Sequence, residues 1–374
     1  MVLLKNEGAA LPLDCSRIHS LAVIGENAVI HQTHGGDSSA IKALYEITPL
    51  EGIVKRAGDR INVTYAKGCG AEGGPDLIRQ AVRAAKQADV AIVFAGLGHG
   101  PHCDTEGTDR EDLRLPYGQD ELIGQVRRAN PKTIVVLVSG SPVQMDPWLA
   151  DVPAVLEAWY SGMEGGNAVA RVLFGDVAPS GKLPCTFPKR LEDSPAHACK
   201  AYPGTNGTVR YEEGLLIGYR YFDTRKIEPL FPFGHGLSYT RFEYSDFKVT
   251  QSAETGGPLA SVEFALVNSG DRAGTEVAQV YIHQSQPSLP RPYQELKGFR
   301  KIFLKPHERQ TVSIPLDRSA FAFYDPGQRG WVAEKGEYEI FVGSSSLDIR
   351  LTGKFTLEQT SLNKLMIAAQ LTTH

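Results

Sequence analysis

The hydrophobic pattern of this sequence changes once, near residue 238, and this change limits the folds that the chain can adopt. Before it, four strand-length runs are almost wholly apolar: residues 21–25, 90–95, 134–138 and 154–156. Runs without polar alternation suit strands that are buried on both faces, as in a parallel sheet. We therefore predict a parallel sheet, covered on both sides, in the first half of the chain.

Helical patterns separate these runs. Residues 75–85 begin with proline, and residues 119–128 have acids in the first turn and arginines in the last turn, which complements the helix dipole. A third helix is predicted from residue 167 to Phe174, with Gly175 as its stop. Strands that alternate with helices predict an α/β layered sandwich domain, with the ligand site at the carboxyl ends of its strands.

Polar and apolar residues alternate after Ser238. Four runs show the alternation: 262–266, 277–282, 309–314 and 337–342. About seven short strands in roughly 120 residues predict an all-β immunoglobulin-like (fibronectin-III-like) sandwich.

The two patterns together predict four segments along the chain. They are an α/β sandwich domain at 1–183, an ordered connector at 184–237, a fibronectin-III-like domain at 238–358 and a tail at 359–374.

Composition narrows the classes of function. The net charge is −4 and 42% of the residues are hydrophobic, which indicates a folded chain with no electrostatic preference for nucleic acid. No apolar run reaches the ~18–20 residues of a membrane-spanning helix. Five widely spaced cysteines favour neither a disulfide framework nor a zinc site. The first residues show no signal peptide, but the compartment stays open because a targeting segment could be missing.

Three short motifs suggest chemistry but lack the context that it needs. Residues 96–100 are glycine-rich and follow a strand, yet no helix begins behind them, which argues against a dinucleotide loop. Residues 36–40 lack the second glycine of a nucleophile elbow, and no strand directly precedes them. His99, His102 and Cys103 are too close in sequence to surround a tetrahedral metal ion. We predict no metal and no cofactor.

A dense acidic stretch, residues 104–112, directly follows the run at 90–95 and its glycine-rich loop. Neighbouring carboxylates could raise the pKa of one acid in it, which would then act as a proton donor. Arg110 would pair with Asp109 or Asp112 and stiffen the loop. From composition alone, a solvated acidic loop is the preferred interpretation and a proton donor is the alternative.

Six longer motifs are distributed along the chain, at residues 2–6, 11–13, 162–176, 179–188, 211–223 and 230–239. Two of them are GMEGGNAVARVLFGD at 162–176 and LFPFGHGLSY at 230–239. Together these motifs resemble glycoside hydrolase family 3, and the resemblance covers almost the whole chain. It implies the same two domains, an α/β sandwich followed by a fibronectin-III-like domain.

The resemblance also implies a chemistry. Members of the family are retaining β-glycosidases, most often β-glucosidases, with a nucleophilic Asp on a (β/α)8 barrel and an acid/base Glu on the sandwich domain. In many members that Glu stands in a Glu-Gly-x-Asp-Arg motif, which implies that Glu106 is the general acid/base. Asp109 and Arg110 would then stabilise its loop. The implied substrate contacts are Asp37, Ser38, Ser39 and Thr108.

No stretch of this sequence supplies the family's barrel, which needs about 250 residues. We therefore expect the non-barrel portion of a retaining β-glycosidase, acting on terminal β-linked sugars of oligosaccharides or aryl glycosides. The barrel would lie on another chain or in a missing segment, and residues around Met1 would belong to the helix that leads to it. The face that meets the barrel should be exposed and partly apolar, so the chain would bind a barrel-bearing partner or form an oligomer.

Two other functions stay open. The chain could be a non-catalytic carbohydrate-binding or scaffold protein derived from such an enzyme, with Trp148, Trp159 and Trp331 as candidate sugar-binding aromatics. An independent α/β hydrolase is disfavoured because the nucleophile elbow is incomplete. The sequence does not select the sugar.

Overall fold

A computed structural model describes residues 1–32, 34–72, 74–100, 103–106, 110–251 and 257–363. These residues form two compact units. The first consists of Met1–Leu183, Phe187–Asp193 and Gly236–Tyr239, and the second of Pro184–Thr186, Ser194–His235 and the residues from Thr240 onward. The predicted fold class, an α/β layered domain followed by an all-β sandwich, is confirmed. The predicted domain boundaries stay a prediction.

The first unit is built on a six-stranded sheet with the order β1-β6-β5-β4-β2-β3. Its strands are β1 (Val2–Asn6), β2 (Ser20–Ile24), β3 (Asn62–Ala66), β4 (Val90–Gly96), β5 (Thr133–Val138) and β6 (Ala154–Glu157). Strand β1 is antiparallel to β6, and all other neighbours are parallel. The carboxyl ends of β2 to β6 therefore meet at one edge, where ligands of such sheets bind.

Every residue of β4, β5 and β6 is buried, which explains their unbroken apolar runs. Strand β1 corrects one expectation, because the residues after Met1 form a strand and not a helix. Val2, Leu3 and Leu4 are buried in this strand.

Four helices belong to this unit: α1 (Pro49–Ala57), α2 (Pro75–Gln87), α3 (Gln119–Ala129) and α4 (Gly165–Leu173). The last three had been predicted from the hydrophobic period. Helix α1 had not, although the Thr48 hydroxyl accepts from the Glu51 N–H and the Glu51 carboxylate accepts from the Thr48 N–H, which is a complete capping box.

Helices α1 and α4 approach closely because each has a glycine at their contact. A Cβ atom on Gly52 would lie 2.2 Å from the carbonyl oxygen of Gly166. A Cβ atom on Gly166 would lie 2.0 Å from the carbonyl oxygen of Thr48. A side chain at either position would have to push the two backbones apart.

Gly52→Ala is expected to destabilise the protein by about 1–3 kcal/mol, because the new methyl group meets backbone atoms that cannot rotate away. The matched control is Gly124→Ala in α3, where a Cβ atom would lie 4.0 Å from Arg128 Nη2 and would meet no backbone of another element. There alanine should be neutral or stabilise by up to about 1 kcal/mol. Urea unfolding followed by circular dichroism measures both changes. Equal stabilities of the two variants would contradict the close contact.

The second unit contains short helices and antiparallel sheets. Its helices are α5 (Pro195–Ala198), α6 (Tyr219–Arg225) and α7 (Arg318–Phe321). Its strands are β7 (Phe242–Gln251), β8 (Ala260–Asn268), β9 (Gly274–Gln284), β10 (Glu295–Leu304), β11 (Arg309–Leu316), β12 (Phe323–Asp325), β13 (Gly330–Ala333), β14 (Gly336–Gly343), β15 (Ile349–Leu357) and β16 (Ser361–Asn363).

Seven of these strands form two sheets, in the orders β10-β9-β14-β15 and β11-β8-β7. Side chains from both sheets, such as Phe264, Val280 and Ile340, share one core. A third, small sheet has the order β12-β13-β16. Its strand β16 lies in the stretch 359–374, for which no element had been predicted.

The structure gives no sign of a metal centre or a membrane span in the described part of the chain. No helix there is long and apolar enough to cross a membrane. No group of three or more His, Cys, Asp or Glu residues in the same ranges could hold a metal ion.

Candidate active site

The acid predicted to be catalytic lies at the carboxyl edge of the parallel sheet. Strand β4 ends at Gly96, and the chain continues from there towards Glu106. The segment between β2 and α1 contributes a short 3-10 turn, Asp37–Ser39, which reaches the same place. Because β2 and β4 are neighbours in the sheet, the loops that follow them meet.

Glu106 is held by Asp37 and Ser38. Its backbone N–H donates to Asp37 Oδ2 at 2.7 Å, and the Ser38 hydroxyl donates to Glu106 Oε1. All three residues are exposed, so the Glu106 carboxylate is oriented and still open to solvent. The Ser39 hydroxyl donates to the carbonyl oxygen of Gly36 at 2.7 Å and closes the turn, and its contact with a substrate stays a prediction.

The other predicted site residues follow Glu106. Thr108 and Asp109 lie outside the described residues. Arg110 is described, and its Nη2 donates to Ser141 Oγ at 3.0 Å and to the carbonyl oxygen of Pro142 at 2.8 Å. Burial lowers the pKa of its guanidinium. Arg110 therefore binds the chain that follows β5.

Asp104 holds this region together, and the sequence had not indicated that role. Its Oδ2 accepts from the Gly140 N–H at 2.6 Å and from the Tyr160 hydroxyl at 2.7 Å. Its Oδ1 accepts from the Ser141 hydroxyl at 2.7 Å. Burial raises the pKa of Tyr160, which keeps that hydroxyl protonated as a donor. Asp104 thus ties the chain after β4 to the chains after β5 and β6.

Histidine rings pack beside this network. The ring of His99 stacks on that of His34, with centroids 5.6 Å apart, and meets Tyr160 edge-on at 5.0 Å. A Cβ atom on Gly36 would lie 2.9 Å from the His99 ring. His99 therefore serves as a packing surface under the Asp37–Ser39 turn. His102 lies outside the described residues.

A buried carboxyl group ends β6. Glu157 is fully buried, and its Oε1 accepts from the Trp159 N–H at 2.8 Å while Ser139 Oγ lies 3.2 Å from Oε2. Burial raises the pKa of Glu157 to about 8. This carboxyl group is therefore largely neutral at pH 7, and no pattern in the sequence had marked it.

The three tryptophans considered for sugar binding have different surroundings. Trp148 is buried, and its indole N–H donates to Asp120 Oδ1 at 2.8 Å. Trp159 packs edge-on against Phe187, with centroids 6.1 Å apart. Trp331 is 37% exposed. Burial leaves Trp148 unavailable as a sugar platform.

Two family models match the sequence of this chain. Residues 1–239 match the glycosyl hydrolase family 3 C-terminal domain, and residues 276–346 match the fibronectin type III-like domain. The chain belongs to glycosyl hydrolase family 3, and the resemblance of its motifs is confirmed.

Relatives of similar sequence include β-glucosidases and an exo-α-(1→6)-L-arabinopyranosidase of Bifidobacterium breve, which is 39% identical over 96% of this chain and is covered to 47% of its length. Thermostable β-glucosidase B of Acetivibrio thermocellus is 43% identical over 363 residues, which are 96% of this chain and 47% of that protein. β-Glucosidase BoGH3A of Bacteroides ovatus is 40% identical over 376 residues, covering 95% of this chain and 50% of that protein. The crystal structure of a Bifidobacterium adolescentis family 3 β-glucosidase has a TM-score of 0.87 and 38% identity, covering 96% of this chain and 51% of the other.

The chain thus spans about half the length of the relatives that it matches. Its described residues form an α/β sheet domain and antiparallel sheets, and no (β/α)8 barrel is found among them. The prediction that the chain corresponds to the non-barrel portion of a family 3 enzyme is confirmed.

Proposed function

We propose that this chain supplies the general acid/base of a retaining β-glycosidase and that Glu106 is this residue. The observation that carries the proposal is an exposed carboxylate at the ligand-binding edge of the sheet, oriented by Asp37 and Ser38. A general acid must reach the glycosidic oxygen to protonate the leaving group. It must then, as a carboxylate, take a proton from the attacking water.

The names of the relatives support a substrate class. Because most of the similar proteins are named β-glucosidases, we propose that the completed enzyme removes terminal β-linked glucose from oligosaccharides or aryl glycosides. The nucleophile belongs to the barrel, and in a retaining enzyme it must stand about 5–5.5 Å from the acid/base carboxyl group.

An exposed apolar segment that follows the Asp37–Ser39 turn in sequence supports a barrel partner. Ile41 and Leu44 follow the Asp37–Ser39 turn and are 76% and 87% exposed. The Tyr45 hydroxyl donates to Glu164 Oε1 at 2.7 Å and fixes the end of this segment. Neighbouring exposed apolar side chains of this size are typical of an interface. We propose that this segment contacts the barrel that carries the nucleophile.

The proposal is tested by complementation with a separately produced barrel. For the barrel we would produce the part of the Acetivibrio thermocellus relative that this chain does not match. As a control for its folding, this part is mixed with the matching part of the same relative, and hydrolysis by that mixture shows that the barrel is folded. This chain alone should not hydrolyse phenyl β-D-glucoside, and the mixture, called here the complemented enzyme, should. Turnover by the purified chain alone would mean that its own residues include a nucleophile, and would overturn the proposal.

A further inference from the structure

Two residues on either side of Glu106 bind the same serine. The Ser141 hydroxyl donates to Asp104 Oδ1 at 2.7 Å, and the same oxygen accepts from Arg110 Nη2 at 3.0 Å. Arg110 also donates to the carbonyl oxygen of Pro142 at 2.8 Å. One side chain after β5 therefore fastens the chain both before and after Glu106.

Asp104 is fastened by two more donors, the Gly140 N–H at 2.6 Å and the Tyr160 hydroxyl at 2.7 Å. The fit leaves no room for a side chain at Gly140. A Cβ atom there would lie 2.9 Å from Asp104 Oδ2 and 2.9 Å from a ring carbon of Tyr160. The backbone after β5 can approach the carboxylate only because this residue is glycine.

The strengths of these bonds differ from those at Glu106 itself. Glu106 and its partners Asp37 and Ser38 are exposed, so water competes for their hydrogen bonds. Asp104 and Arg110 are half-buried, and apart from the exposed bond of the Gly140 N–H their bonds join a charged group to a neutral partner in partial shelter from solvent. Charge-assisted bonds in such surroundings are the stronger ones.

We infer that the side chains of Asp104, Arg110, Ser141 and Tyr160, called here the Ser141 clasp, position the Glu106 carboxyl group for proton transfer. This inference rests on the proposed acid/base role of Glu106. The clasp residues are positioning residues, since they act through the chain that carries Glu106. A misplacement of about 1 Å is enough to slow a reaction step by about 100-fold.

The first test uses this chain alone and measures hydrogen exchange. The N–H groups of residues 103–106 are all hydrogen-bonded, to Gly100, Gly98, Cys103 and Asp37 in turn. Ser141→Ala and Asp104→Asn should speed their exchange by about tenfold or more, because local opening becomes easier. Exchange in β4 and β5 should not change.

The matched control is Asp112→Asn. The Asp112 carboxylate lies in the same acidic stretch but accepts from Arg114 Nε at 2.7 Å. Exchange at residues 103–106 should be unchanged in this variant. If Asp104→Asn fails to fold, hydrogen exchange at residues 103–106 in Ser141→Ala and Tyr160→Phe tests the inference instead. Unchanged exchange in these clasp variants would overturn the inference.

The second test uses the complemented enzyme and two substrates. The phenolate of phenyl β-D-glucoside is a poor leaving group and must be protonated as it departs. The 2,4-dinitrophenolate of 2,4-dinitrophenyl β-D-glucoside is a weak base and departs without protonation. Ser141→Ala should lower kcat/KM by about tenfold or more for the phenyl substrate and by less than about threefold for the other. A merely structural role would lower both values equally.

Glu106→Gln, measured in parallel, separates the two hypotheses. If it shows no dependence on the leaving group, the acid/base assignment of Glu106 fails. If it shows the dependence and Ser141→Ala does not, the positioning role of the Ser141 clasp fails and the assignment of Glu106 stands.

Discussion

Glu106→Gln in the complemented enzyme is expected to lower kcat/KM for phenyl β-D-glucoside by about 10³-fold. Glutamine has the size of glutamate, and its carbonyl oxygen can still accept from the Ser38 hydroxyl as Glu106 Oε1 does. It cannot release a proton to the glycosidic oxygen. Because a dinitrophenolate departs without protonation, kcat/KM for 2,4-dinitrophenyl β-D-glucoside should fall far less.

The same substitution should also slow the second step, in which water attacks the glycosyl-enzyme. With no base at this position the intermediate accumulates, so kcat and KM for the dinitrophenyl substrate should fall together. Azide attacks as an anion and needs no base. Added azide should therefore restore turnover and give β-glucosyl azide as the product, which nuclear magnetic resonance identifies.

Glu111→Gln is the control for these measurements, since it makes the same change at another exposed acid of the acidic stretch. It should leave both substrates unaffected. Equal losses for the two substrates in Glu106→Gln would show that Glu106 is not the proton donor. Sugar binding without any turnover in the complemented wild-type protein would favour the carbohydrate-binding alternative.

Much of the fold could be predicted because burial on both faces leaves a direct mark on sequence. Strands β4 to β6 are apolar almost throughout since no residue in them faces water. Strand β3 was missed because it lies at the sheet edge, where Asn62, Thr64 and Tyr65 are exposed and the apolar run is lost. Helix α1 was missed for another reason, since the capping box at Thr48 was readable and was not used.

The candidate site, like the fold, could be predicted only in part from the sequence. Glu106 was indicated by a motif within five consecutive residues, and Asp37 and Ser38 were implied by the family resemblance. The partners of Asp104 left no such mark. Ser141 and Tyr160 lie 37 and 56 residues further along the chain, and only the order of strands in the sheet brings them to Asp104. Contacts of this kind require the tertiary structure.

Glu157→Gln is expected to stabilise the protein at neutral and alkaline pH. Burial raises the pKa of Glu157 from 4.5 to about 8. In the unfolded chain this carboxyl group ionises near its ordinary pKa, so between about pH 4.5 and 8 the folded protein binds one more proton than the unfolded chain. The contribution of Glu157 to the free energy of unfolding is complete below this window. It falls by about 1.4 kcal/mol per pH unit as the pH rises through it.

Glutamine removes the ionisation and can keep both contacts, with its carbonyl oxygen accepting from the Trp159 N–H and its amide donating to Ser139 Oγ. The stability difference between variant and wild type should therefore grow from about pH 5 to 8 and level off above it. Urea unfolding at intervals of pH measures this difference, with the exposed Glu111→Gln as a control that should show no trend. Parallel curves for Glu157→Gln and wild type would mean that Glu157 ionises in the folded protein as a surface carboxyl group does. Besides burial, the negative charge of the Asp104 carboxylate raises the pKa of Glu157. A neutral Glu157 therefore avoids placing a second negative charge beside the Ser141 clasp.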